Sequence, residues 1–440
     1  MTFKTIPMVT TDSLLSAPGV PPLSNLEKIL LDQQVAVESW LRQQWQKTPP
    51  PFYASVDLRN AGFKLAPVDT NLFPAGFNNL NPGHMSLYVQ AVQATIAEIC
   101  PDVTRLLLIP ESHSRNVHYF ESLSRLHTLL VMAGFQVRIG TLDTAVTEPQ
   151  QRTLPSGATF VLEPLLRKGD QVGVQNFFPC CVILNNDLSG SVPPILQNLK
   201  QIVMPAPQLG WANRLKSEHF DAYAAVSREL AEQIRIDPWL ISPLFDRCPE
   251  VNFLKKEGEE CLVSRAEGIL RQIKKKYAQY HIDQPPFLVI KADAGSYGMA
   301  VMMLQDPNEL RSLNRKQRTH MSASKGGVPV TKVIVQEGVY TLESAGKDQA
   351  VAEPVVYTIG RHVIGGFYRI HKNRGPHENL NTPGMDFVPL PFDEPCNAPY
   401  PQQEAVACHR FYIYGVIARL ACLAAARELA AFNERAHYER

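Results

Sequence analysis

The sequence predicts an α/β protein, in part α+β, on three observations. First, the apolar run Arg105-Leu106-Leu107-Leu108-Ile109-Pro110, an amphipathic helical stretch over about 117–133 and a second run, Gly134-Phe135-Gln136-Val137-Arg138-Ile139, follow one another. This is the pattern of a parallel βαβ unit. Second, residues 287–301, FLVIKADAGSYGMAV, read as a strand, a small-residue loop with two glycines, and a second strand. Third, strand patterns at 332–335, 353–359 and 361–370 precede a final helix over about 405–432, rich in Ala, Leu and Ile.

The remaining elements follow in order. Residues 23–47 carry helical apolar spacing, with Ser24 as N-cap, Glu27 three residues on, and Pro49-Pro50-Pro51 as the stop. Residues 52–82 read as polar-aromatic and loop-like, with an extended start at 53–58, and 85–100 read as an amphipathic helix. Short strands are expected at 160–162 and 181–184, and a helix-like segment at 195–202. A helical block covers about 217–280; its Lys274-Lys275-Lys276 run is expected to be a solvated face. The polar stretch 306–329 reads as a helix and mobile loop, and 373–402 is rich in Pro, Gly and Asn. At 440 residues the chain exceeds one ordinary core. The proline-broken link 205–211 is the candidate boundary between an N-terminal α/β domain, 1–204, and a catalytic region, 205–440.

Composition narrows the function. A net charge of +1 provides no bulk field for nucleic acid or an anionic membrane. The apolar stretches fall far short of a bilayer span. No charged segment followed by a long apolar run opens the chain, so no secretory signal is expected and a cytoplasmic location is. The eight cysteines form no C-x-x-C pair, so neither a zinc site nor a redox motif is indicated. The sequence leaves open whether the chain forms a homo-oligomer.

Four constellations carry chemistry. Lys291 ends a buried strand, and Asp293-Ala294-Gly295-Ser296-Tyr297-Gly298 follows it. Gly295 and Gly298 carry no Cβ, so backbone N–H groups there can approach phosphate oxygens, and the lysine adds a point charge. A tight hairpin with a surface lysine is the alternative. Next, Gln336-Glu337-Gly338-Val339 closes an apolar strand, either as an edge that hydrogen-bonds a purine or as a plain turn. A hairpin turning near 360–362 then brings Glu353 beside Arg369, whose planar fork suits carboxylates and phosphates. Finally, the oxygens of His377-Glu378-Asn379-Leu380-Asn381 suit magnesium or an ordinary turn. Glu111, His113 and His118 fit no zinc spacing and read as loop and helix-start residues.

This order of features resembles the ATP-grasp superfamily as found in glutathione synthetases. More closely, the strings ILNNDLS (183–189), GWANRLKSEHF (210–220), KADAGSYGM, QEGVYTLE and NLNTPG are similar to the proteobacterial ATP-grasp type of glutamate–cysteine ligase, over about residues 20–430. The resemblance implies a Rossmann-like pre-ATP-grasp domain followed by an ATP-grasp-like region, with ATP, Mg2+, L-glutamate and L-cysteine as cofactors and substrates. It implies that Lys291 contacts the nucleotide phosphates, that Asp293 and Gly295 to Gly298 cover them, and that Gln336 to Val339 line the adenine. Arg369 would face the reacting carboxyl phosphate, and Asn379 would lie by the triphosphate or substrate. The late Glu-x-Asn metal motif of many ATP-grasp enzymes is missing, which leaves Glu353, Asn379 and Asn381 as metal candidates.

For glutamate, loops after predicted strands or near the boundary offer Arg115, Asn116, Asn185, Asn186, Asp187 and Arg214, with 185–189 either a binding segment or a polar turn. The implied reaction is phosphorylation of the γ-carboxylate of glutamate followed by attack of the cysteine amine, under a lid made from the glycine hairpin and 306–329. Another ATP-grasp ligase, or a nucleotide-binding protein without catalysis, are the alternatives.

Overall fold

A computed structural model describes residues 23–112, 116–295, 300–323, 327–390 and 406–438. Its centre is an antiparallel sheet that draws on both ends of the chain. The strands run Asp386–Pro389, His362–His371, Ala350–Ile359, Tyr53–Asn60 and Leu65–Asn71, with Ser344–Ala345 added beside Ala350–Ile359. Tyr53 pairs with Ile359 and Val56 with Val356. A cut at 204/205 therefore passes through this sheet, because a proline-rich link reports a local turn and carries no record of which distant strands pair. The extended start expected at 53–58 is the strand Tyr53–Asn60, and the loop-like reading of the rest of 52–82 is corrected, since it supplies the second strand, Leu65–Asn71. Pro67 and the polar run Asp69-Thr70-Asn71 concealed that second strand.

Both faces of the central sheet are covered. Val56, Leu58, Ala352, Val356 and Ile370 pack against the helices Asn25–Asp32, Gln34–Lys47 and Lys216–Ile234 and the 33-residue helix Val406–Tyr438. Tyr53, Val355, Tyr357 and Phe367 share a second core with the helices Met85–Ile99 and Val117–Met132. The expected cap at the first helix is present: Ser24 and Glu27 form a reciprocal capping box. No helix among the described residues is long and apolar enough to cross a membrane.

The second sheet realises the βαβ pattern. Its order is Ile202–Met204, Cys181–Asn185, Arg105–Pro110, Gln136–Thr141, Thr159–Pro164 and Gln150–Thr153. All neighbours are parallel except the edge strand Gln150–Thr153. The helix expected at 195–202 is corrected to a single turn, Pro194–Leu196, and the edge strand Ile202–Met204.

The third sheet is small and antiparallel, in the order Phe245–Cys248, Val333–Glu337, Leu288–Ala292 and Val301–Leu304. The helical block expected at 217–280 splits here into Lys216–Ile234 and Glu259–Gln279, with Phe245–Cys248 between them. Pro238, Pro243 and Pro249 interrupt the helical pattern in that gap. The helix Glu259–Gln279 buries Leu262, Ile269 and Ile273 against this sheet and leaves Lys274 and Lys275 in solvent.

Candidate active site

The small sheet faces one end of the central sheet across a cleft. Directly paired strand residues share a face, and two such pairs set the cleft floor: Asp57 opposite Asp69, and Glu353 opposite Arg369. The strand Tyr53–Asn60 thus carries core residues at one end of this face and Asp57 and Arg59 at the other. The roof follows the same rule. Val289 pairs with Gln336 and with Met303, and Lys291 pairs with Val301. All five residues line the cleft. Apolar side chains, a lysine and an amide are therefore presented together.

Ion pairs knit the floor. Arg369 Nη1 donates to Asp57 at 2.8 Å and to Glu353 at 2.5 Å. Arg59 Nε donates to Glu353 at 3.0 Å, and its Nη atoms donate to the carbonyls of Val339, Pro376 and Glu378. Lys216 Nζ donates to Asp69 at 2.8 Å and sits 4.0 Å from the Trp211 ring centroid. Lys291 Nζ donates to the Val68 carbonyl and to Gln336 Oε1, each at 2.7 Å. Among the described residues that line the cleft, two buried donors have no partner, Gln336 Nε2 and Arg369 Nε. Such groups cost about 1–3 kcal/mol unless something bonds them.

Burial pushes the Lys291 ammonium down to about 8, against the pull of Asp69. At Asp69, burial is outweighed by Lys216 and Lys291, which hold the carboxyl at about 2. Asp57 moves the other way: burial raises it, with Arg369 opposing and Glu353 reinforcing. Burial also works against the Glu353 carboxylate, but Arg59 and Arg369 hold it below its ordinary value.

Of the residues singled out in the sequence, Lys291, Gly295, Gln336, Glu337, Val339, Glu353, Arg369, Asn379 and Asn381 border this cleft. Their side chains are used differently. The Glu337 carboxylate accepts from Lys64, from the Trp239 indole and from the Leu244 amide, and its own amide donates to the Leu244 carbonyl, so neither its side chain nor its N–H is open to a ligand. Gly338 exists for packing: a Cβ there would lie 2.1 Å from the Phe287 ring. Asp293 is turned away and buried. Its carboxylate accepts from the backbone and hydroxyl of Ser217, in the first turn of the helix Lys216–Ile234, and so ties the glycine loop to that helix. Gly295 has φ +104, a conformation that side chains disfavour. Ser296, Tyr297, Gly298 and Arg115 lie outside the described residues.

The residues expected to hold glutamate are elsewhere. Arg214 is buried against Glu428 and the Thr70 carbonyl. Asn185 bonds Tyr53 and the Pro74 carbonyl and accepts from Tyr119. Asn116 caps the helix Val117–Met132. Asn186 and Asp187 line a second cavity. Sequence reasoning missed Asp57, Arg59, Asp69 and Lys216. The signal for the first two was present: V-D-L-R places a charge at every second residue of an otherwise apolar run, which aims both at one face.

A mixed α/β fold that turns Arg59, Lys216, Lys291 and Arg369 onto one cleft is suited to polyanionic substrates, and the chain is an ATP-dependent ligase by its likeness to known proteins. The family model GshA, glutamate-cysteine ligase, matches residues 27–429. The chain belongs to the glutamate–cysteine ligase family. It is similar to a crystal structure from Methylobacillus flagellatus KT that carries the provisional name gamma-glutamylcysteine synthetase. The identity is 50%, with 95% of this chain and 98% of that chain covered and a TM-score of 0.85. Far weaker likeness links it to a glutathione synthetase-like effector of Globodera pallida, at 9% identity, 79% and 81% coverage and TM-score 0.39. D-alanyl-alanine synthetase A of Vibrio cholerae O1 stands similarly, at 9%, 72% and 81%, and 0.33. Values that low carry no structural argument. No curated protein matches the chain.

Proposed function

We propose that this protein joins the γ-carboxylate of L-glutamate to the amine of L-cysteine in the cleft between the central and small sheets. ATP transfers its terminal phosphoryl group to the γ-carboxylate, giving an acyl phosphate and ADP. The cysteine amine then attacks the activated carbonyl, and γ-glutamylcysteine and phosphate leave. The observation that carries this reading is the convergence of Lys291, Lys216 and Arg369, with its unpartnered Nε, on one enclosed space. Transfer to a carboxylate brings anions together, so placement and charge neutralisation dominate its catalysis.

Lys291 and Arg369 neutralise the transferring group. Gln336 Nε2, beside Val289, Val301 and Met303, is the free donor suited to a purine edge held between apolar faces. Magnesium would be held by the oxygen donors Asp57, Asp69, Asn379 and Asn381 and would supply positive charge to the phosphates. Glu353 fits it less well, because Arg59 and Arg369 already occupy its carboxylate, and its part is to hold both guanidiniums in place. The cleft encloses only about 80 Å³, below the roughly 300–1,000 Å³ of ligand pockets. Nucleotide admission therefore requires the cleft to widen and then close, which also shields the acyl phosphate from water.

The test is product analysis with ATP, magnesium, L-glutamate and a panel of amines. Glutamate-dependent ADP release with γ-glutamylcysteine formed from L-cysteine is the expected outcome. A preference for another acid or amine would reassign the substrates, and no ADP release with any pair would remove the ligase reading for this cleft.

A further inference from the structure

Arg59 borders the cleft, yet its guanidinium is buried and turned into the protein. Nε donates to Glu353 at 3.0 Å, Nη1 to the carbonyls of Val339 at 3.2 Å and Pro376 at 3.3 Å, and Nη2 to the carbonyl of Glu378 at 2.5 Å. A guanidinium has five N–H groups, so these four bonds leave one. Three of the partners are backbone oxygens, so Arg59 fixes the course of the chain itself. Two separate segments are held. Val339 belongs to the apolar cluster of Val289, against which Val301 and Met303 pack, the wall assigned to the purine. Pro376 and Glu378 lead into Asn379 and Asn381, which line the cleft. Residues 372–385 contain neither helix nor strand, so no ladder holds that segment. Thr341 adds its N–H to the Pro376 carbonyl, and the Asn381 N–H bonds back to Asn379 Oδ1.

One planar fork thus spans both walls while its Nε stays paired with Glu353, the carboxylate that also holds Arg369. We propose that Arg59 is a positioning residue that couples the nucleotide end of the cleft to its acid-substrate end. This inference rests on the ligase reading of the cleft. A base seated against Val339 fixes that backbone, the guanidinium bonded to it and, through the guanidinium, the segment that carries Asn379 and Asn381. The acid then meets a wall already ordered and is spared the entropy of ordering it, which is positive cooperativity without any new contact. The coupling is reciprocal: the factor by which nucleotide tightens the acid is the factor by which the acid tightens nucleotide. A lysine at this position could keep the ion pair with Glu353. Its single ammonium on a flexible stem cannot also reach the carbonyls of two segments from the corners of a plane.

Calorimetry on the full chain tests it, with a non-hydrolysable ATP analogue and magnesium titrated with and without saturating L-glutamate. In the native chain each ligand should tighten the other by roughly tenfold, within the range of coupling between sites, and the analogue alone should slow amide hydrogen exchange across 376–382. In Arg59→Lys, whose folding a melting curve checks, the coupling should shrink to within about twofold, and the analogue should no longer protect 376–382. In steady state the same variant should lose efficiency through the KM for glutamate, which rises by at least ~10-fold with a smaller fall in kcat. A merely structural role would lower the melting temperature and leave the coupling factor where it was. Independent binding of the two ligands to a native chain that makes γ-glutamylcysteine overturns the proposal, and this arm needs no variant to fold. Full coupling retained in Arg59→Lys overturns it as well. A native chain that binds neither ligand, or forms no product, removes the ligase reading instead and this inference with it.

Discussion

Lys64 and Lys291 flank the same strand, Val333–Glu337, and burial pushes both ammonium groups down to about 8. Their surroundings then diverge. Lys64 is fully buried, 2.8 Å from the equally buried Glu337 carboxylate, and lies 4.2 Å from the Trp239 ring centroid. Its charge is spent inside the protein. Lys291 borders the cleft, and its hydrogen bonds go to the neutral oxygens of Val68 and Gln336. Its charge remains available to an anion. Residue type and pKa thus do not distinguish a structural lysine from a functional one; the partner across the hydrogen bond does.

The contrast can be broken most sharply at Lys64. Lys64→Ala leaves Glu337 buried without its cation, and the expected loss is about 3–5 kcal/mol of stability, read by denaturant unfolding. A loss under about 1 kcal/mol would show that Trp239 and Leu244 alone satisfy Glu337. Lys291→Ala should do the opposite: turnover falls by at least ~100-fold, the scale of one transition-state charge contact, while the unfolding midpoint holds. Near-normal turnover would place the phosphoryl contact elsewhere.

Arg369→Lys sharpens the comparison on the floor. A single ammonium cannot both take the place of Nη1 between Asp57 and Glu353 and supply the second, unpartnered donor Nε, and kcat should fall by roughly 10- to 100-fold. Retention of glutamate-dependent ADP formation at the normal rate would refute that role. Gly338→Ala should cost about 1–3 kcal/mol through overpacking against Phe287; an unchanged melting curve would mean that the ring has room to move.

The most gradual effect is on pH. In the free protein Lys291 loses its proton as pH rises through about 8, while bound phosphates favour the protonated form. ATP binding must then take up a proton above that pH, so affinity should fall by up to about tenfold per pH unit. Binding measured from pH 7 to 10 that stays flat, or that strengthens, would contradict the assignment.

Much of the cleft was legible because its later part is written in short strings. Lys291 with its glycine loop, Gln336 at a strand exit, and Glu353 with Arg369 across a hairpin each lie within one local element, where alternation and turn chemistry reveal direction. Two of the glutamate candidates are engaged away from the cleft, for the converse reason. Asn185 and Arg214 are polar residues at a strand end and near a proline link, and the sequence does not show that Tyr53 and Glu428 occupy them.

What the sequence by itself determined is the set of local elements: the βαβ unit, the glycine hairpin, the Glu353–Arg369 pairing and the capped first helix. These follow from periodicity and from contacts among near neighbours. Only the tertiary structure decided that Tyr53–Asn60 lies between Ala350–Ile359 and Leu65–Asn71, bringing Asp57, Arg59 and Asp69 under Lys291. That pairing spans about three hundred residues. It is chosen by which faces can be buried together once the chain has collapsed, and no window of the sequence contains both partners.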